Sequence, residues 1–445
     1  MPKQSITVKD ILKLAIPAII AGIAEPVISI TDLAVIGRME NGAVVALSAV
    51  GLVGSFLSAI IWTLAQTKTS ISSIISNALG EDRLDSTKEL VPQVIWINIV
   101  AGSLIYLITA PLAEWIFTLY QAEGDVLKQA VTYYQIRAIG FPMTLCAFAL
   151  FGLFRGLQNT SWAMTASLIG AAINVVLDII LVHGIPEIIP AMGIEGAAYA
   201  SLVAQFSLMC IAIYFLYKKT GFSLALKLWK PHEKLGKHLS LTANFFLRTA
   251  AINIAIYLSY RFANGYSTSA AATHAILMNI WLFFSFFIDG FANAGNAIGG
   301  RLLGSRDAGG LRYLAKTTLL YGVGVAVILS LGCFALYDQI PLFFTDEAPV
   351  LEMMSATFWI VILMQPVNAV AFVYDGIFKG WGEAVYLRNL LIFLTIFVFI
   401  PTIYIADYLD WKLKAVWVAF FLWMVGRSAV LHFKFYNKVS AIEEQ

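Results

Sequence analysis

The stretch Pro142 to Gly156, PMTLCAFALFGLFRG, returns 224 residues later as Pro366 to Gly380, PVNAVAFVYDGIFKG, with the proline, the Ala-Phe pair, two glycines and a phenylalanine in register. The same offset carries Gly80 of NALGEDR onto Gly304 of RLLGSRD, and Val126-Leu127 onto Val350-Leu351. One offset shared by three separate sites predicts two copies of a unit of roughly 220 residues.

Composition decides what each copy is made of. With 60% hydrophobic and 13% charged residues and a mean hydropathy of +0.80, a chain of this length is too apolar to be water-soluble and reads as an all-α polytopic membrane protein. A bilayer core of about 30 Å asks for roughly 20 apolar residues per helix. Such runs fall at 11–36, 44–79, 90–118, 126–156, 161–183, 196–217, 239–263, 269–303, 311–336, 350–378, 385–407 and 412–434. Twelve transmembrane helices in two six-helix lobes cross in the same sense, so a pseudo-two-fold axis along the membrane normal relates the lobes. The expected units are an N-lobe over 1–217, a linker over 218–238 and a C-lobe over 239–445.

Basic residues set the orientation. Twenty-one of the 29 Lys and Arg, Arg155, Lys379 and Arg427 among them, fall on the side of the N-terminus, and six, including Arg38 and Arg137, on the other. Both termini are therefore expected in the cytoplasm. A net charge of +2 spread over short connections gives no basic patch for nucleic acid. Cys146, Cys210 and Cys333 lie in apolar stretches and read as small core residues.

Charged residues inside helices are few: Lys68 and Arg248, with the acids Glu25, Asp32, Asp178, Asp289 and Asp375. Each costs about 2.5–3.5 kcal/mol at a helix centre, so each should face a cavity or a partner. Asp32 and Asp178 lie at similar depth on helices 1 and 5, and Asn174 is one turn from Asp178 on the same face. Two carboxylates and an amide at one depth form a candidate proton or cation site; the alternative is that they only bond neighbouring helices. Pro26 removes a backbone hydrogen bond from helix 1 and makes it the candidate hinge. Subtracting the offset puts Arg248 beside Glu25 and Asp289 within a turn of Lys68, which suggests ion pairs Glu25–Lys68 and Arg248–Asp289. The open alternative is that these cations line a substrate path. Asp375 is expected to pair with Lys379 or Arg388.

At these residues the chain resembles the multidrug and toxic compound extrusion (MATE) transporters, and within them the DinF-like branch. Helix 1, ILKLAIPAIIAGIAEPVISITDLAVIG, is similar to the pattern in which a proline precedes V-D-T-A-V-I-G. IRAIGFP, LFRGLQNT and NVVLDIILVHG resemble the family elements of helices 4 and 5, and Asp375-Gly376 with Phe378, Gly380 and Leu387-Arg388-Asn389 those of the second half. The resemblance implies a two-lobed antiporter, not an enzyme, that expels small molecules from the inner membrane by alternating access. It needs no cofactor beyond its coupling ion and acts as a monomer in the lipid bilayer. The N-lobe cation site maps onto Asp32, Asn174 and Asp178, with Pro26 at the bend of helix 1. Leu33 and Arg38 depart from the helix 1 motif. The C-lobe acids of the sodium-coupled branch are missing, with Arg248 and Asn368 in their region, which favours protons over sodium. A lipid-linked precursor flippase is the rival reading; it needs a large cationic cavity.

Overall fold

The computed structural model describes residues 6–39, 42–226 and 230–444, and of Glu25 only the backbone. Among the described residues, eleven helices are long and apolar enough to cross a membrane, and a pair bent by 46° makes a twelfth span. The N-lobe comprises α1 (Val8–Ile36), α2 (Ala43–Gly80), α3 (Leu84–Thr109), α4 (Gly124–Ala138 continued by Phe141–Gly156), α5 (Ser161–His183) and α6 (Gly193–Lys219). The C-lobe comprises α7 (Leu235–Tyr266), α8 (Thr268–Gly304), α9 (Ala308–Ala335), α10 (Ala348–Gly380), α11 (Ala384–Tyr408) and α12 (Leu413–Glu443). Shifted by 224, the ends of α2 and α4 fall on those of α8 and α10 to within a residue. Between the lobes, Trp96 Nε1 donates to Leu224 O at 3.0 Å and Gln93 Nε2 to Lys230 O at 2.9 Å, so the connection is tied to the start of α3.

Two helix expectations need correction. The helix expected over 126–156 is broken after Ala138. Both copies carry the proline, Pro142 and Pro366, yet α10 runs through Pro366 without a break. What differs lies two residues earlier: Gly140 stands where α10 has Met364, and glycine is the poorer helix former. The helix expected over 412–434 extends to Glu443, which moves Arg427 from the end of its helix to the middle.

The lobes meet where α2 crosses α8. A Cβ on Gly80 would overlap the Arg301 carbonyl and crowd Ser305 N, and one on Gly304 would overlap the Asn77 carbonyl and crowd Glu81 N. Asn77 and Arg301 are one offset apart, as are Glu81 and Ser305, so the contact is reciprocal and the pseudo-two-fold axis passes through it. Ser72 and Asn296, also 224 apart, touch directly, with Ser72 Oγ donating to Asn296 Oδ1 at 2.6 Å. Ser73 Oγ and Asn77 Nδ2 donate to Gly380 O at 3.0 and 2.8 Å, and Gln158 Nε2 to Ala297 O at 2.7 Å.

Farther along the same helices the lobes part. Exposed residues form a stripe on α2 (Ser48, Ser55, Trp62) and another on α8 (Asn279, Leu282, Asp289). Both stripes stop at the crossing, where 69–76 and 294–300 are buried throughout. An exposed carboxylate at membrane depth faces water rather than acyl chains. The stripes therefore line a cleft between the lobes, closed on the side where α1 begins and open on the other.

Candidate functional site

On α5 the buried positions are Ala166, Gly170, Asn174, Asp178 and Val182, a stripe of strict four-residue spacing. Its polar members sit at the centre, against α1 and α6. Asp178 is fully buried and Asn174 and Asp32 nearly so. The three residues singled out in the sequence are thus brought together. The Asp32 and Asp178 carboxyl groups lie close enough to interact directly. Among the described residues, neither Asp178 oxygen, nor Asp32 Oδ1, nor Asn174 Oδ1 accepts a bond from a protein donor, while Asn174 Nδ2 donates to Ser201 Oγ at 3.2 Å.

Three further residues complete the site. Tyr133, buried on the first segment of α4, lies in the field of both carboxyl groups and of Arg137. Arg137, one turn on, acts on Asp178 without forming an ion pair with it. Ser201 comes from α6. Arg137 was expected on the water-exposed far side; the break in α4 ends the first segment beside it, and the residue lies within the lobe. The site offers only oxygen atoms to a ligand, which suits a proton or a hard monovalent cation. Among the described residues no group of three His, Cys, Asp or Glu side chains is arranged to hold a metal ion.

The C-lobe carries a different constellation. The expected Arg248–Asp289 ion pair is not formed. Arg248 instead donates from one nitrogen to both oxygens of Asp375 at 2.8 Å. Arg427 Nη2 reaches Asp375 Oδ1 at 2.9 Å, and Lys379 Nζ reaches Oδ2 at 2.7 Å, so one buried carboxylate serves three cations. The expected Lys379–Asp375 pair is present, while Arg388 turns to Asn244 and Asn389. Arg427, counted among the cations of the terminal side, is 3% exposed and packs on the Phe372 ring at 5.2 Å. Asp289 stays exposed on the cleft wall. Lys68 stands with Nζ 4.8 Å from the centroid of the Phe148 ring. The Glu25–Lys68 pairing lies outside the described residues, because the Glu25 side chain does. Of the cysteines, Cys146 is buried as expected of a core residue, whereas Cys210 is exposed.

Comparison with known proteins decides what carries this pair of lobes. The MatE family model matches residues 17–180 and again 246–405, once in each lobe and over most of the chain. The chain belongs to the MATE family. DNA damage-inducible protein F of Escherichia coli is 24% identical over 387 residues, covering 86% of this chain and 82% of the relative. A probable multidrug resistance protein NorM of Chromobacterium violaceum is 24% identical over 84% of this chain and 80% of its own length. A solved structure, described as the outward-facing conformation of a multidrug resistance MATE family transporter, superposes with a TM-score of 0.88 at 20% identity, covering 98% of this chain and 97% of that one. The fold is therefore the two-lobed MATE fold, in a multi-pass membrane transporter rather than an enzyme.

Sequence reasoning missed Tyr133, Arg137 and Ser201 in this MATE transporter because each is a single polar residue on an otherwise ordinary helix. The duplication holds the signal. Shifted by 224, the three become Thr357, Val361 and Val425, and Asp32, Asn174 and Asp178 become Ile256, Val398 and Thr402. Charge and amide present in one copy and absent from the other mark the site.

Proposed function

We propose that this MATE transporter is a cation-coupled secondary antiporter of the inner membrane, exporting amphipathic or organic-ion compounds by alternating access, with the proton rather than sodium as its coupling ion. It works as a monomer with both termini in the cytoplasm. The α2–α8 crossing is then the cytoplasmic gate, and the cleft is open outward. The observation that carries this reading is the Asp32–Asp178 carboxyl pair, buried in an apolar lobe and, among the described residues, without donors to the Asp178 oxygens. Two carboxylates so placed repel, and desolvation penalises each by several kcal/mol, so a bound cation relieves both. Arg137 supplies fixed positive charge beside Asp178. A second cation of finite radius is repelled by that guanidinium, whereas a proton neutralises a carboxylate without occupying new space.

Asp32 stands on α1 beyond Pro26, where the helix lacks one backbone hydrogen bond. Protonating the pair removes the carboxylate charge that α1 presents to α5 and leaves the helix free to bend at the proline. The test is exchange in reconstituted vesicles, with a pH gradient and a sodium gradient applied separately. Substrate movement should follow the pH gradient alone and vanish in Asp32→Asn and Asp178→Asn. Sodium-driven exchange, or undiminished exchange in folded variants, overturns the reading.

A further inference from the structure

The floor of the cleft lies where the lobes cross, and the helices around it carry an excess of positive charge. Arg155 on α4 sits between Gly152, which packs on the Lys68 carbonyl, and Gly156, which packs on Ile75 and the Ser72 carbonyl. Lys379 on α10 sits between Gly376, against the Ala292 carbonyl, and Gly380, against that of Asn296. Ser72 and Asn296 meet on the axis, so Arg155 and Lys379 stand at one depth on opposite sides of it. Both are partly exposed. Asp289, on the wall between them, feels both cations and Arg427 but forms no direct ion pair among the described residues. Behind Lys379, Asp375 already serves three cations. Among the described residues, Arg155, Arg248, Lys379 and Arg427 thus face Asp289 and Asp375. An excess of cations at membrane depth is costly unless something negative completes it.

We propose that the cleft floor is an anion site, and that the compound this transporter carries is an amphipath with a carboxylate, sulfonate or phosphate head held between Arg155 and Lys379. Arg155 is the principal anchor: its guanidinium makes no ion pair among the described residues, and its planar fork suits a bidentate oxyanion. Lys379 contributes from the other lobe, so the ligand bridges the axis. Trp62 and Leu282, exposed on the two stripes leading down to the floor, accommodate an apolar body. Asp289 tunes the site by competing for the same cations. This reading names the substrate class of the proposed exporter and rests on that role only for the word substrate, since binding is read without any ion gradient.

The experiment is equilibrium binding to the purified full chain of two aromatic probes of opposite charge, naphthalene-1-sulfonate and (1-naphthylmethyl)trimethylammonium, at low and high salt. The sulfonate should bind more tightly, with an affinity that falls as salt rises. Arg155→Gln should weaken it about tenfold, a charge-assisted hydrogen bond's worth, with partial rescue by Arg155→Lys. Asp289→Asn should tighten it. Lys379→Gln is read only if its unfolding profile matches the parent, because Lys379 also pairs with Asp375; Arg155→Gln keeps the test decisive otherwise. Tighter binding of the ammonium probe, lost in Asp289→Asn, overturns the proposal, as does sulfonate binding indifferent to Arg155. Failure of proton coupling in vesicles leaves this result untouched, so the two readings fail separately.

Discussion

Where α6 crosses α5 in the N-lobe, the contact is made through glycine: a Cβ on Gly196 would lie 2.5 Å from the Leu181 carbonyl oxygen. At the equivalent positions of the C-lobe, α12 places Trp417 for Gly193 and Phe420 for Gly196, and Trp423 follows one turn later. Their rings pack at tilted and edge-to-face angles into a buried cluster with Phe399, whose centroid lies 5.0 Å from that of Phe420 and 6.1 Å from that of Trp423. The last turn before Phe399 is a π-turn, Thr395–Phe399, where α5 continues as regular helix through Asn174. The same helix pair is thus drawn close around an under-satisfied polar centre in one lobe and held apart by aromatic filling in the other. Charge follows the same exchange. Arg248, Asp289, Asp375 and Arg427 have Ala24, Ala65, Phe151 and Val203 as their N-lobe equivalents, while the Asp32 site has only Ile256, Val398 and Thr402 in the C-lobe. Arg155 and Lys379, at the shared floor, are equivalent positions that keep their sign in both. Duplication supplied one scaffold; divergence has given one copy a titratable centre and the other a closed ionic brace.

The comparison breaks first at the coupling site. Asp178→Asn should reduce pH-driven exchange by about a hundredfold or more, as expected when a group that must carry the proton is lost. Thr402→Val, at the equivalent place in α11, should leave it within about twofold on the same scale. Comparable losses in both variants would erase the distinction between the lobes.

The brace is tested by stability. Asp375→Asn strips Arg248, Lys379 and Arg427 of their shared partner and should cost about 3–5 kcal/mol in unfolding of the purified protein, the penalty for leaving buried charge uncompensated. Phe151→Leu, at the N-lobe equivalent, should cost no more than about 1.5 kcal/mol. A smaller loss for Asp375→Asn than for Phe151→Leu would mean that the ionic cluster does not hold the C-lobe.

The shared crossing is expected to respond alike from either side. Gly80→Ala and Gly304→Ala each drive a methyl group into a carbonyl of the other lobe and should destabilise the closed gate by about 1–3 kcal/mol. Labelling of a cysteine introduced at Ser76 should then become faster from the terminal side. Unchanged labelling in both variants would place the moving contact elsewhere.

The smallest effect concerns α1. It carries Pro17 and Pro26 where α7 has Leu241 and Ala250. Pro26→Ala restores a backbone hydrogen bond and should slow turnover by about threefold to tenfold while raising thermal stability, consistent with the roughly 3 kcal/mol that an interior proline costs a helix. Faster turnover in Pro26→Ala would remove the proline from the mechanism.

Much of this was legible before the structure. Twelve apolar runs and a fixed offset suffice for a two-lobed helical bundle, since membrane depth leaves a chain few alternatives. Asp32, Asn174 and Asp178 were legible because rise per residue converts position into depth, and four-residue spacing into a shared face. Depth does not choose among partners. The offset placed Arg248 with Asp289, whereas the folded lobe brings it to Asp375 on α10. Arg427 was misread because its helix extends nine residues beyond the apolar run that announced it. The α4 break escaped notice because Pro142 recurs as Pro366 in an unbroken helix; the informative residue was Gly140 against Met364.

The central claim is that the exchangeable proton belongs to the N-lobe alone. It is tested most directly by counting protons released when the purified transporter binds its substrate, using calorimetry in buffers of different ionisation enthalpy. The account predicts proton release by the parent protein and by Asp289→Asn, and none by Asp32→Asn or Asp178→Asn. Release that persists in both N-lobe variants, or disappears in Asp289→Asn, would contradict it.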